Sequence, residues 1–149
     1  MRAVIQRVKR ASVSVEEEII GKIDSGILLF LAVGNGDTTD DADYLLEKII
    51  NLRIFEDSEG KLNLSAKDLN KEILIVSQFT LYGDCRKGRR PSFSSAASPG
   101  TAFKMYDYFI EQANKTSLKI ETGEFQAMME IDILNHGPLT LMLDSNKEF

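Results

Sequence analysis

The sequence predicts a mixed α/β fold, a single domain over residues 1–149 with a barrel-like β-sheet core of about eight strands and two main helices. Three observations predict it. Short apolar or alternating runs recur along the chain, punctuated by Gly, Asn, Asp and Pro. Only two stretches carry apolar residues at helical spacing behind capping residues. The length of 149 residues suits one domain, and no repeat, linker or low-complexity tract divides it.

The elements follow in order. Met1–Val15 reads as one or two strands, with Val13 and Val15 alternating against Ser12, Ser14 and Glu16. Glu16-Glu17-Glu18 is a charged turn, and Ile19–Ile23 returns as its hairpin partner. Ile27–Val33 is a central buried strand, closed by the turn Gly34-Asn35-Gly36-Asp37. A helix follows to about Asn51, capped by Asp37, Thr38 or Thr39, with Ala42, Leu45, Leu46, Ile49 and Ile50 on one buried face. Leu52–Glu56 is a strand, and Leu62–Leu64 is a short extended piece. Ile73–Val76, β-branched and unbroken, suits a strand covered on both faces. Ser98-Pro99 starts the second helix, whose buried face is Ala102, Phe103, Tyr106, Phe109, Ile110 and Ala113. Lys119–Thr122 is a strand, Phe125–Leu134 another, Asn135–Pro138 a turn and Leu139–Leu143 the last strand.

Composition narrows the class. Hydrophobic residues make 43% and charged residues 28%, ordinary for a soluble globular protein. The lone cysteine, Cys85, allows no internal disulfide and points to a reducing compartment. Met1–Arg10 lacks the apolar run of a signal peptide, and Ile27–Val33 is too short to span a bilayer. A cytoplasmic protein without a membrane partner is expected. Net charge is −5, yet Arg86, Lys87, Arg89 and Arg90 cluster within five residues. Such a local cluster reads either as an anion site or as a solvated loop.

Much chemistry is disfavoured. The single histidine, His136, sits in a turn and reads as a surface residue. One His and one Cys leave no metal-ligand spacing, so a metal site is not expected. The acidic Asp40, Asp41 and Asp43 are accounted for by a helix N-terminus. Gly34-Asn35-Gly36 lacks both the Gly-Lys-Ser/Thr ending of a phosphate loop and the third glycine of a dinucleotide fingerprint. Cys85, beside Arg86 and Lys87, has no evident partner base.

What remains is Glu72–Asp84, where a buried strand ends in Ser77, Gln78, Phe79 and Thr80. Hydroxyls, amides and backbone N–H groups on a rigid strand end can hold a reacting group. Two such N–H groups can form an oxyanion hole, worth about 3–4 kcal/mol per donor. That suffices for an already activated substrate. The plainer reading is a strand end followed by a Tyr-Gly-Asp turn.

Five segments resemble the D-aminoacyl-tRNA deacylase family of bacterial and eukaryotic type: Met1–Val8, Asn51–Phe55, Ser77-Gln78-Phe79-Thr80-Leu81-Tyr82-Gly83-Asp84, Arg86–Phe93 and Asn135-His136-Gly137-Pro138-Leu139-Thr140. The resemblance covers the whole chain. It implies hydrolysis of the ester joining a D-amino acid, or glycine, to the terminal adenosine of tRNA, with no cofactor. It implies a homodimer in which Gly137-Pro138, through a cis peptide bond, enters the partner's site and excludes L side chains. It places Ser77, Gln78, Phe79 and Thr80 at the scissile ester, with Thr80 regarded in the family as a nucleophile. No base to activate Thr80 is evident, so the backbone N–H groups of Phe79 and Thr80 are preferred as oxyanion donors, with water attacking. Phe125, Met129 and Ala102 are implied pocket walls, and Arg86, Lys87, Arg89 and Arg90 are implied to meet acceptor-end phosphates. The chain departs from the family pattern at His136, where an acidic residue is common, and at Gln126, where glycine is common. The second departure bears on how the pocket meets adenine. A noncatalytic RNA-end-binding module and a small-molecule esterase are the rival readings.

Overall fold

A computed structural model describes residues 1–148. Its frame is one curled sheet of six strands in the order β2-β1-β3-β6-β7, with β8 on the other side of β1. β1 (Arg2–Val15) is the long spine. Its first half pairs antiparallel with β3 (Gly26–Ala32), its second half with β2 (Glu18–Ile23), and β8 (Glu130–Asp144) runs antiparallel along its other edge. β3, β6 (Glu72–Ser77) and β7 (Ile120–Thr122) are parallel. A separate small hairpin joins β4 (Phe55–Glu56) to β5 (Leu62–Leu64). The sheet curls until β2 meets β7: a Cβ built on Gly21 would stand 2.6 Å from the Thr122 carbonyl oxygen. The architecture is the mixed α/β, nearly closed barrel that the sequence predicts.

The curl creates two apolar clusters. Inside it lie Val8, Val13, Ile23, Leu28, Leu74 and Val76. Outside it, helices α1 (Thr39–Asn51) and α2 (Pro99–Asn114) pack over Ile5, Ile27, Leu29, Ile73 and Ile75. Alternate residues of β6 therefore enter different clusters, which is why its apolar run is unbroken. All five α1 residues expected on the buried face are buried. Thr38 caps this helix, with Asp41 accepting from its N–H at 2.8 Å. Ser98 and Pro99 open α2, where Ser98 Oγ accepts from the Thr101 N–H at 3.4 Å.

Four expectations are corrected. Leu52–Glu56 is not one strand: β4 holds only Phe55–Glu56, because the Ile54 carbonyl accepts from Arg7 at 2.8 Å instead of from a neighbouring strand. Phe125–Met129 is a turn, closed by the Ala127 N–H donating to the Glu124 carbonyl at 3.3 Å. Asn135–Pro138 does not end a strand. β8 runs through it with register shifts against β1, tolerable because Pro138 lies on an edge strand. Phe103 is half exposed and packs edge-on against Phe125, its ring centroid 5.3 Å away.

Gly26 sets how closely β3 and β6 approach. A Cβ there would lie 1.9 Å from the Glu72 carbonyl oxygen, which belongs to its partner in the register. Gly26→Ala is expected to destabilise the fold by about 1–3 kcal/mol and to lower Tm by several degrees in a thermal melt. An unchanged Tm would mean that the β3–β6 spacing yields at no cost.

Candidate active site

β6 ends at Ser77, and the chain then tightens into a 3-10 turn over Phe79–Tyr82. The junction is held from both sides. The Gln78 N–H donates to the Leu31 carbonyl of β3 at 2.8 Å, and the Gly123 N–H beyond β7 donates to the Ile75 carbonyl at 3.0 Å. The buried Tyr106 hydroxyl of α2 donates to the same Ile75 oxygen at 2.9 Å, and burial pushes its pKa up, so it remains a donor. The N–H groups of Phe79 and Thr80 come before the first hydrogen bond of the turn, Leu81 N–H to Gln78 carbonyl at 3.2 Å. They find no backbone acceptor among the described residues, as expected at the start of a helical turn. They are a ready pair of donors on a fixed frame.

Beside this turn opens a cavity of about 660 Å³. Ser77, Gln78 and Phe79 line it from the strand end, Ala102 from α2, and Phe125 and Met129 from the turn before β8. Six of the residues singled out from the sequence thus share one cavity. The walls are mostly apolar and aromatic: Phe79 packs edge-on with Phe93 at 5.1 Å, and Phe125 packs with Phe103 and Tyr106. No ionisable side chain is among its lining residues.

Thr80, which follows the lining residue Phe79, is exposed and is not itself a lining residue. Its hydroxyl oxygen accepts from the Gln78 carboxamide nitrogen. That contact supplies a donor, whereas activating a hydroxyl requires an acceptor base.

Gly137 and Pro138 lie elsewhere, exposed on β8, and neither lines the cavity of its own chain. Their peptide bond is cis. Arg7 underpins them. It is buried on β1, its Nε donates to the His136 carbonyl at 3.0 Å and its Nη1 to the Ile54 carbonyl at 2.8 Å. Glu56 stands 3.6 Å from Nη2 as counter-ion. The sequence reading did not single out Arg7, because β1 also carries Arg2, Gln6, Lys9 and Arg10 and no local pattern sets Arg7 apart. Gln126, where the chain departs from the family pattern, lines the cavity too, and Phe93 and Met128 are further lining residues that the sequence reading did not propose.

The basic cluster divides. Arg86 grips Asp84 through two hydrogen bonds of 2.8 and 2.7 Å. The Arg86 side chain and N–H hold the Asp84 carboxyl well below the usual carboxylate range, so this charge is matched within the chain. Lys87, Arg89 and Arg90 are exposed, with no ion pair among the described residues.

Comparison with known proteins shows the family. The family model described as D-Tyr-tRNA(Tyr) deacylase matches residues 4–144. D-aminoacyl-tRNA deacylases from Halothermothrix orenii and Thermosipho africanus are 63% and 59% identical, over the full length of both chains in each case. Among solved structures, a c-Myc DNA unwinding element binding protein superposes with a TM-score of 0.91 at 42% identity, covering 97% of this chain and 98% of its own. A probable eukaryotic D-amino acid tRNA deacylase shares the fold, with a TM-score of 0.81 at 17% identity and coverage of 95% and 97%. By sequence match along nearly its whole length and by fold, the chain belongs to the D-Tyr-tRNA(Tyr) deacylase family.

Proposed function

We propose that this protein hydrolyses the ester that joins a D-amino acid to the terminal adenosine of tRNA, a chiral proofreading step in translation. The observation that carries this reading is the pair of N–H groups at Phe79 and Thr80 with no backbone acceptor among the described residues, at the strand end beside a mostly apolar cavity with no ionisable lining residue. Such a site stabilises an oxyanion but has little with which to activate a nucleophile. It therefore suits an aminoacyl ester, which is reactive from the start. Water attacks the carbonyl carbon, charge collects on the carbonyl oxygen facing the two donors, and the carbon–oxygen bond to ribose breaks as the ribose oxygen takes up the proton that the water gives up. The neighbouring 2′-hydroxyl of the substrate's ribose is placed to assist.

Chiral selection is assigned to a second copy of the chain. The outer edge of β8 has no strand partner among the described residues, and Leu134, Leu141 and Met142 on that strand are exposed. A 15-residue edge with apolar side chains favours pairing with another molecule. In the proposed homodimer, Gly137-Pro138 of one chain closes the cavity of the other and leaves no room for an L side chain. Glycine has no side chain to exclude, so glycyl-tRNA is a second substrate on this reading. Lys87, Arg89 and Arg90 hold acceptor-end phosphates, while Arg86 stays with Asp84. These contacts position the RNA without reading its sequence.

With tRNA charged in parallel with D- and L-tyrosine, release of the D form alone is expected. Release of neither would leave a noncatalytic RNA-end module, and equal hydrolysis of free D-tyrosine esters would indicate a general esterase. Thr80→Ala, which keeps the N–H, should retain single-turnover rates within about tenfold, whereas loss of a true nucleophile or oxyanion donor costs about 10²–10³ or more. Arg89→Ala/Arg90→Ala should reduce the slope of log affinity against log salt by about one for each phosphate that is no longer neutralised. Arg86→Ala should change it less. An unchanged slope in the double variant would overturn the assignment of these arginines to the phosphates.

A further inference from the structure

The two ends of the 3-10 turn line different cavities. Phe79, at its head, lines the apolar one. Tyr82, at its tail, lines a polar one of about 890 Å³, together with Arg2, Asp37 and Asp144. Three contacts hold that tail, and the residues that supply them do not line the apolar cavity. Carbonyls near the end of a helical turn run out of partners within it. That of Leu81 accepts from Arg2 Nη1 at 3.3 Å. The Arg2 guanidinium also stands over the Tyr82 ring, 4.6 Å from its centroid. The Tyr82 hydroxyl donates to Asp37 at 3.4 Å. Burial, reinforced by the charges of Asp37 and Asp144, pushes the Tyr82 pKa up, so the hydroxyl keeps the proton that it donates.

Both holders are themselves fixed. Arg2, at the start of β1, donates through Nε to Asp144, at the end of β8, at 3.1 Å. The buried Asp37 pairs with the Met1 amino group at 2.8 Å and accepts from the Gly34 N–H. Gly34 leaves the space that Tyr82 fills: a Cβ there would lie 2.5 Å from the Tyr82 hydroxyl oxygen. We propose that Arg2 and Asp37 are positioning residues for the hydrolysis, which hold Tyr82 from the polar cavity and thereby aim the Phe79 and Thr80 N–H groups at the head of the same turn. This rests on the proposed oxyanion role of those groups. The turn has only four residues, so rotation at Tyr82 is passed to the peptide planes at its head. An oxyanion donor is effective only when it points at the developing charge from about 3 Å. β6 fixes the head of the turn, but Leu81 and Tyr82 lie beyond the sheet.

Two conservative variants test this. Arg2→Lys keeps a charge beside Asp144 but loses the planar fork that holds the Leu81 carbonyl and covers the Tyr82 ring together. Tyr82→Phe keeps the ring and loses only the hydroxyl that reaches Asp37. On D-tyrosyl-tRNA, at a temperature where circular dichroism shows each variant fully folded, kcat should fall about tenfold in each while KM stays within about twofold. In the ligand-free, isotope-labelled protein, the Phe79 and Thr80 amide resonances should shift or broaden in both variants, while those of Ile73–Val76 stay in place. Both changes act on one turn, so the double variant should lose little more than the slower single variant. If either variant melts below the assay temperature, the other carries the test alone. A kcat that is kept, an effect confined to KM, losses that multiply in the double variant, or a lower kcat with the Phe79 and Thr80 resonances unmoved would overturn the positioning role. Failure of the wild type to release D-tyrosine would instead overturn the hydrolase reading, and this inference with it.

Discussion

The pairing of β6 on both edges, with burial on both faces, is the constraint on which the rest of the structure depends. Ile73 and Ile75 enter the cluster under the helices, while Leu74 and Val76 enter the interior of the curl. β3 and β7 hold its edges in parallel register. A strand so enclosed cannot shift by one residue without exchanging its two apolar faces. The peptide groups that follow inherit that rigidity, helped by the hydrogen bonds that Leu31, Gly123 and Tyr106 make around the strand end. The precision of the site is thus a consequence of the core.

The cavity beside that frame has no ionisable side chain among its lining residues. An oxyanion is served by N–H groups that need not move or titrate, and a low-dielectric, aromatic surrounding strengthens them. Thr80 illustrates the division of labour. Its hydroxyl oxygen accepts from Gln78, while its N–H has no backbone acceptor among the described residues. Arg7 extends the same economy to β8. A single buried guanidinium satisfies the carbonyls of His136 and Ile54, and so ties the segment before Gly137 to the body of the domain. In the proposed dimer this would make the element offered to the partner as rigid as the strand end it meets.

Much of this was legible in the sequence, for physical reasons that differ by element. The α1 face was readable because Ala42, Leu45, Leu46, Ile49 and Ile50 answer to one period and one neighbour. β6 was readable because burial on both faces leaves an unbroken apolar run. Ser77, Gln78 and Phe79 stood out as a polar end to a buried strand, whereas Ala102, Phe125 and Met129 came from a resemblance of motifs, and no periodicity would have gathered all six. Failures occurred where tertiary partners override local pattern. The turn at Phe125–Met129 looks like part of a strand because its apolar residues face a cavity. The Asn135–Pro138 segment looks like a turn, but β1 and Arg7 keep it within β8. Phe103 has helical spacing, yet its contact is another aromatic at the cavity wall.

The central claim is that the backbone at the end of β6, and not the Thr80 hydroxyl, meets the developing charge. An activated phosphonate analogue of a D-aminoacyl adenosine, carrying on phosphorus a leaving group that a nucleophilic side chain would displace, tests it directly. Amide resonances and intact mass would be followed together in the isotope-labelled protein. The account predicts that the Phe79 and Thr80 amide protons move strongly downfield on binding while the mass of the chain stays unchanged. A covalent adduct at Thr80 with those two amides unmoved would contradict it.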